Sequence, residues 1–371
     1  MPYRLLIILM FSTSILYVLI FYKQSKISRS YQINIETPLS SAKSLHHDLF
    51  NPSLPSINKI FADNHTWTAT LSSQKLRTMI ATGDVIPARS VNFQALKHKD
   101  FNWPYLKTAS VIRNADITFI NLETPLIKNC PITQTGMIFC GDQRNVEGLE
   151  YAGVDVASLA NNHAGNYGAE GVKATKDLLN ENGILVTGID RTVIKDIRRV
   201  RFAFLGYNDI TKPQPGISNA DEEKIKQEIA GIRQQADIVV VAYHWGVEYR
   251  SQPDERQKYL GRLAIDAGAD LVIGNHPHWI QPIELYKDKL IAYAHGNFVF
   301  DQEWSEKTKE GVIGKYTFYD NKLIDVEFLP VQINDFGQPN LTVDLLLKKS
   351  VLNEMRTQTI NLSSSIQGNK N

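Results

Sequence analysis

The stretch LVIGNHPHW, Leu271 to Trp279, decides how the rest of the chain is read. Its first half is apolar and β-branched, the texture of a strand buried on both faces. It then breaks off into Asn-His-Pro-His. A solvated loop accepts almost any polar residue, but two imidazoles two apart, stiffened by Pro277, set nitrogen lone pairs side by side at a strand end. The same texture recurs at LRTMIATGDV (76–85), ADITFINLETP (115–125), GVDVASLANNH (153–163), GILVTGI (183–189), RVRFAFLGYN (199–208), ADIVVVAYHWG (236–246) and KLIAYAHGNFVF (289–300).

Helical patterns separate several of these runs. AEGVKATKDLLNENG (169–183) ends in Gly183, DEEKIKQEIAGIRQQA (221–236) opens with acids, and PDERQKYLGRLAIDAG (253–268) starts with Pro253 and stops at Gly268. Strands alternating with helices over this length predict an α/β fold with buried sheets. KLIDVEFLPVQI (322–333) and LTVDLLLKK (341–349) read as late strands, and the polar NLSSSIQGNKN (361–371) as a disordered tail.

The chain has 371 residues, enough for a substantial core, and is 43% hydrophobic, which excludes wholesale disorder. Its 40 basic and 39 acidic side chains nearly balance. No basic stripe is visible, so nucleic acid is not an expected partner. Leu5 to Tyr22, LLIILMFSTSILYVLIFY, carries no charge and as a helix would measure about 27 Å, enough to cross a bilayer. No small-x-small cleavage site follows closely, so it reads as an uncleaved transmembrane anchor. Lys23, Lys26 and Arg29 outnumber Arg4, which by the positive-inside rule alone would leave the body in the cytoplasm. Cys130 and Cys140 point the other way: they bracket PITQTGMIF, and a disulfide there would pin a loop as in exported proteins, with two free thiols as the alternative. Residues 23–75, rich in Ser, Asn and Pro, read as a flexible tether whose His46, His47 and His65 are solvated. The expected organisation is an anchor (1–22), the tether (23–75), a catalytic-type domain (76–335) and a C-terminal strand with the polar tail (336–371).

What ends each strand carries the chemistry. The ends are Gly83-Asp84, Asn121-Leu122-Glu123, Asn161-Asn162-His163, His244-Trp245-Gly246, His276-Pro277-His278 and His295-Gly296-Asn297. In open α/β sheets ligands bind beyond the carboxyl ends of strands. Five of the nine histidines sit there, each unremarkable alone but together pointing to a shared metal site. Imidazole, carboxylate and carboxamide without thiolate suit Mn, Fe or Zn at a hydrolytic centre. Six candidate ligands from five strand ends exceed what one structural ion needs. They fit two divalent ions sharing a carboxylate, an arrangement that activates water for attack on a phosphoryl or acyl centre.

ATGDVIPAR (81–89), NLETPL (121–126), LANNHAGNYGAEGV (159–172), HWGVEY (244–249), GNHPHWIQPIE (274–284) and HGNFVFDQ (295–302), in this order, resemble the CapA proteins of capsule and poly-γ-glutamate biosynthesis, of the calcineurin-like metallophosphoesterase superfamily. The resemblance covers roughly Leu76 to Asp301. It implies a sandwich of mixed β-sheets flanked by helices, and a membrane-anchored protein with its domain outside the cytoplasm. It implies Asp84, Glu123, Asn162, His244, His276 and His278 as metal ligands, with Glu123 bridging and the last two histidines divided between the ions. It implies His163 as general acid and Arg89 as the cation that meets an anionic substrate. Asn161, Asn166, His295 and Asn297 would lie around these ligands, His295 either approaching the site or packing. Two departures stand out. The superfamily's opening Asp-x-His has Ile86 in place of histidine, leaving one ion a ligand short, and Asn166 stands where an aspartate is common.

Three functions follow. One is a two-metal hydrolase acting on a phosphoester or amide bond at the cell surface, on an anionic polymer or phosphoester substrate. The second is a non-catalytic part in export or anchoring of a surface polymer, alongside membrane proteins of polymer synthesis. The third is an exported nucleotidase-like enzyme, for which Trp245, Tyr249 and Trp279 would clamp a base. A nicotinamide enzyme is excluded, because no Gly-rich fingerprint follows a strand.

Overall fold

A computed structural model of the chain describes residues 52–368 apart from 190, 191, 211–213 and 215. The anchor Leu5–Tyr22 and the tether as far as residue 51 lie outside the described residues. Among the described residues no helix is long and apolar enough to cross a membrane.

The apolar runs form two sheets. Among the described residues the first runs in the order Gln338–Leu341, Lys322–Asn334, Glu310–Tyr319, Leu76–Val85, Ile117–Leu122, Val156–Ser158 and Leu185–Thr187, with Asn297–Val299 added in parallel at the end of Leu76–Val85. It is antiparallel on the Lys322–Asn334 side and parallel from Leu76–Val85 onward. The second sheet orders Ile283–Tyr286, Lys289–Ala292, Leu271–Asn275, Ile238–His244, Val200–Asn208 and Val193–Ile197, parallel through its centre.

Side chains alternate across each strand, so each sheet has two apolar faces to cover. Met79, Ala81 and Phe119 of the first sheet meet Phe202, Phe204, Val240 and Ile273 of the second, with Phe119 stacked on Phe204 at 5.7 Å. The opposite face of the first sheet, with Ile80, Ile120 and Ala157, is covered by Val91, Leu149, Val172 and Leu179 from helices. The outer face of the second takes Ile225 and Ile229 of Glu222–Arg233, and Leu260 and Ala264 of Glu255–Ala267. The result is the expected α/β sandwich of mixed sheets flanked by helices. The three helices read from the sequence form at Gly168–Glu181, Glu222–Arg233 and Glu255–Ala267. Asp254 caps the last in a reciprocal box with Gln257, and Gly268 ends it at φ 118°.

Two expectations at the ends of the domain need correction. The tether was expected to reach residue 75, but from Pro52 the chain packs against the sheets. Ile57–Ile60 is a short helix, Ile60 is buried in the inter-sheet core, and Phe61 stacks on Phe328 at 6.1 Å. His65, expected to be solvated, places Nδ1 3.0 Å from both carboxylate oxygens of Asp325. The four apolar residues of LPSINKIF, at 54, 57, 60 and 61, keep helical spacing but are too few to mark a helix, so their burial is set by the sheet that receives them. At the other end, Gln338–Leu341 is a strand, but Leu345–Gly368 is a helix rather than a strand and disordered tail. Val351, Met355, Thr359 and Leu362 are its buried stripe, at helical spacing that the polar residues between them obscure.

Candidate metal centre

The site forms where the parallel strands of both sheets end. The register sets Asp84 beside Asn121 in the first sheet, and Asn208 beside His244 beside Asn275 in the second. Gly83 allows the first strand to reach this point: a Cβ there would lie 2.4 Å from the Gly296 carbonyl oxygen, which the Asp84 amide meets at 3.0 Å. His276 and His278 follow Leu271–Asn275 with φ of 98° and 56°, left-handed values that turn the His-Pro-His segment across the strand ends.

Asp84 is fully buried and accepts hydrogen bonds from Asn121 Nδ2 at 2.8 Å and the His276 amide at 3.3 Å, with His278 Nδ1 3.0 Å away. Asn297 Oδ1 lies 2.9 Å from the same Nδ1, so that nitrogen carries a proton and Nε2 is the nitrogen left to meet a metal. Glu123, also fully buried, comes directly after Ile117–Leu122, and its amide bonds the Val85 carbonyl at 2.9 Å. Its Oε2 accepts from Asn121 Nδ2 at 3.4 Å, while Oε1 has no hydrogen-bond partner and lies 3.4 Å from His244 Nε2. Asn162 Oδ1 is 2.7 Å from that Nε2. Asn161 fixes the turn, donating to Asn121 Oδ1 and the Leu122 carbonyl and accepting from the amides of His163 and Ala164.

These donors fall into overlapping groups whose ligand atoms lie within 4.8 Å of one another: Glu123, His244 and His276, and Asp84, Glu123 and His278. Glu123 belongs to both, as a bridging carboxylate must. The electrostatics fit cations. Burial, then the charge of Asp84, pushes Glu123 well above its usual range. Burial opposes Asp84 ionisation too, but the hydrogen bond and charge of His278 hold its carboxyl below normal. Burial lowers His278, yet the bond to Asp84 and the charge of Glu123 raise it to about 9. Burial brings His244 down to about 3, and burial with the charges of His244 and His278 takes His276 well below normal. His276 Nδ1, like Glu123 Oε1, is buried without a hydrogen-bond partner. Neutral His244 and His276, two buried carboxylates and the orphaned Glu123 Oε1 and His276 Nδ1 are a donor set a divalent ion satisfies, and an ion bound there would displace the second proton of His278.

His163 stands beside this cluster. Its Nδ1 donates to Asn166 Oδ1 at 3.0 Å, leaving Nε2 with the lone pair, and burial lowers its pKa to about 4. Phe139, expected from nothing in the sequence, stacks on its ring at 4.0 Å, and the Phe139 amide donates to the same Asn166 oxygen at 2.7 Å. Phe139 precedes Cys140, which is disulfide-bonded to Cys130. The bridge therefore closes a loop that braces His163.

Arg89 does not stand free for an anion. Its guanidinium pairs with Asp301 and donates to the Gly136 carbonyl at 3.0 Å, held between the rings of Phe139 and Phe300 at 4.9 Å from each. His295 packs: Nε2 meets Tyr316 Oη at 2.7 Å in the inter-sheet core. Trp245 is fully buried on Tyr243, 4.5 Å away, and cannot clamp a base. Tyr249 lies beside the site, 6.2 Å from His278 and 6.3 Å from Trp279. Asn121 and Glu248 escaped the ligand reading. Asn121 occupies a strand end and touches Asp84, Glu123 and His244; Glu248 sits four residues beyond His244 in the same motif.

Comparison with known proteins adds the family. Residues 78–302 match the family described as "Bacterial capsule synthesis protein PGA_cap". The capsule biosynthesis protein CapA of Bacillus anthracis is 30% identical over 304 residues, 76% of this chain and 73% of that protein. The PGA biosynthesis protein CapA of Bacillus subtilis (strain 168) is 30% identical over 305 residues, 78% of this chain and 80% of that protein. Among solved structures, one described as a novel phosphatase of Mycoplasma pneumoniae is 14% identical, covering 75% of this chain and 99% of that one with a TM-score of 0.46.

Proposed function

From the premise that this chain belongs to the bacterial capsule synthesis protein family PGA_cap, we propose that it is a metal-dependent hydrolase of capsule or poly-γ-glutamate biosynthesis, acting on an anionic polymer or phosphoester through a two-ion centre. The observation that carries this reading is the sharing of Glu123 between two ligand groups, each drawn from both sheets. One ion would be held by Glu123, Asn162, His244 and His276, the other by Asp84, Glu123 and His278. Divalent Mn, Fe or Zn bound there supplies Lewis acidity and lowers the pKa of a coordinated water.

The chain's own residues do the rest. Asp84, by holding the proton on His278 Nδ1, keeps Nε2 available as a ligand. Asn166 fixes the His163 tautomer, so Nε2 faces incoming substrate as an acceptor. Burial keeps that imidazole neutral. An anionic substrate raises its proton affinity, and the proton it then takes up can pass to the leaving group. The buried ring of Phe139 excludes water from one face of His163. Arg89, neutralised by Asp301, braces the Cys130–Cys140 loop in place of meeting the substrate directly.

The reading extends to a single-pass protein anchored in the bilayer through Leu5–Tyr22, with its domain on the extracytoplasmic side, beside membrane proteins of polymer synthesis. The disulfide supports an oxidising compartment. The test is elemental analysis of purified wild type and His276→Ala, with hydrolysis of a generic phosphodiester and of poly-γ-glutamate followed in the same samples. Near two ions per chain with hydrolysis, both reduced in the variant, is the expected result. Metal without hydrolysis of either substrate would favour polymer binding, and a wild type that takes up no metal would overturn the proposal.

A further inference from the structure

The two ligand groups are unequal. The ion beside His244 has two imidazoles, a carboxylate and the Asn162 amide within reach, whereas the ion beside Asp84 has two carboxylates and one imidazole. Three protein ligands with an open position suffice for a catalytic Zn²⁺, whereas six-coordinate Mn²⁺ leaves room for a further protein donor. The chain after Asp84 offers no further donor, since Ile86 is fully buried against Ala88, Phe139 and Phe300.

A third group overlaps the first two: Glu248, His276 and His278 also bring ligand atoms within 4.8 Å of one another. Glu248 lies on the turn after Ile238–His244, and the backbone fixes that turn. Gly246 takes φ 82°, Tyr249 takes φ 60°, and the Tyr249 amide donates to the Pro277 carbonyl at 2.8 Å, between the two ligand histidines. Its carboxylate accepts the Tyr249 hydroxyl. That hydroxyl accepts from Gln302 Nε2 at 3.1 Å, Gln302 Oε1 accepts from Asn297 Nδ2 at 3.2 Å, and Asn297 Oδ1 lies 2.9 Å from His278 Nδ1. A chain of hydrogen bonds thus runs from His278 round to Glu248 and orients the carboxylate, as partners of metal ligands do. No Lys or Arg among the described residues forms an ion pair with Glu248. A solvated surface glutamate would need neither the pinned turn nor the oriented hydroxyl.

We propose that Glu248 is a further metal ligand of this centre, on the side where His276 and His278 meet. The inference rests on the two-ion reading above. It adds a third carboxylate to the centre beside Asp84 and Glu123, and the added oxygen donor favours Mn²⁺ or Fe²⁺ over Zn²⁺ there.

The experiment uses the full-length chain in detergent, stripped with chelator and titrated with Mn²⁺ by calorimetry, as wild type, Glu248→Gln and Glu248→His. The expected result is two Mn²⁺ per wild-type chain, with one site in Glu248→Gln weakened at least about 10-fold, the loss that even removal of a ligand's supporting partner produces. Two sites of unchanged affinity in Glu248→Gln would overturn the inference while leaving the two-ion centre intact. A wild type that binds no ion would instead sink the reading beneath it. Melting of the stripped proteins separates folding from ligation. If Glu248→Gln melts lower even without metal, Glu248→His decides: recovery of the second ion, with a shift in preference toward Zn²⁺, supports ligation, and no recovery overturns it.

Discussion

Reducing the Cys130–Cys140 bridge, or replacing both cysteines by alanine, should destabilise the domain by about 2.7 kcal/mol. The sequence separation of 10 sets the magnitude, because a cross-link removes loop entropy from the unfolded chain in proportion to the logarithm of the loop closed. For a domain of this size that shifts the melting midpoint by roughly 5 °C. The native state feels the loss as well. Ile132, Met137 and Ile138 are exposed on the loop, so apart from the bridge little apolar burial holds it, while Phe139 at its root is buried against His163. Opening the loop should therefore loosen His163, and hydrolysis should fall further than stability alone accounts for at temperatures well below the midpoint. The assay is a pair of thermal melts and rate measurements with and without reductant, with both thiols confirmed by labelling. A fully reduced protein that melts within 1 °C of the oxidised one, estimated against the loop-entropy expectation of roughly 5 °C, would refute the reasoning.

Two further outcomes test the corrected ends of the domain. The Asp325 hydrogen bond, opposed by burial and helped by the charges of Asp325 and Glu327, raises the pKa of His65 in the folded protein. Its stabilisation is therefore fully present below the unfolded value of about 6.5 and is lost as pH rises through the raised folded value. Denaturant midpoints of wild type and His65→Gln should differ at pH 6 and converge in alkaline solution; equal midpoints at pH 6 would show that the segment does not dock. Met355, 2% exposed on the C-terminal helix, should cost about 2–4 kcal/mol as Met355→Ala, and a neutral effect in urea unfolding would return that segment to a disordered tail.

The parallel strands were legible because they leave continuous apolar runs, but KLIAYAHGNFVF divides between Lys289–Ala292 of the second sheet and Asn297–Val299 of the first, and the antiparallel Glu310–Tyr319 was not among the runs. The end segments that were not legible share a cause. Leu54, Ile60 and Phe61 have too few apolar neighbours in sequence to mark a helix, and the buried stripe of Leu345–Gly368 is diluted by Asn, Gln and Ser on the other faces. In both segments the sheets' remaining apolar surface decides the fold, and that surface is assembled from residues far away in the chain.

The site divides along the same line. Asp84, Glu123, Asn162, His244, His276 and His278 could be placed near one another from the sequence because each lies at a strand end or within four residues beyond one, and parallel register aligns strand ends. The resemblance sets Arg89 against an anionic substrate; its pairing with Asp301, 212 positions away, is closed only by the fold. Glu248 and Phe139 lie on loops whose positions depend on tertiary bonds, to Pro277 in one case and to Asn166 in the other. Asn166 shows what such loops add. An aspartate at that place would put a negative charge 3.0 Å from His163 Nδ1 and stabilise the imidazolium. The amide orients the ring without charging it, so under the proposed function protonation of His163 would depend on the negative charge of the bound substrate.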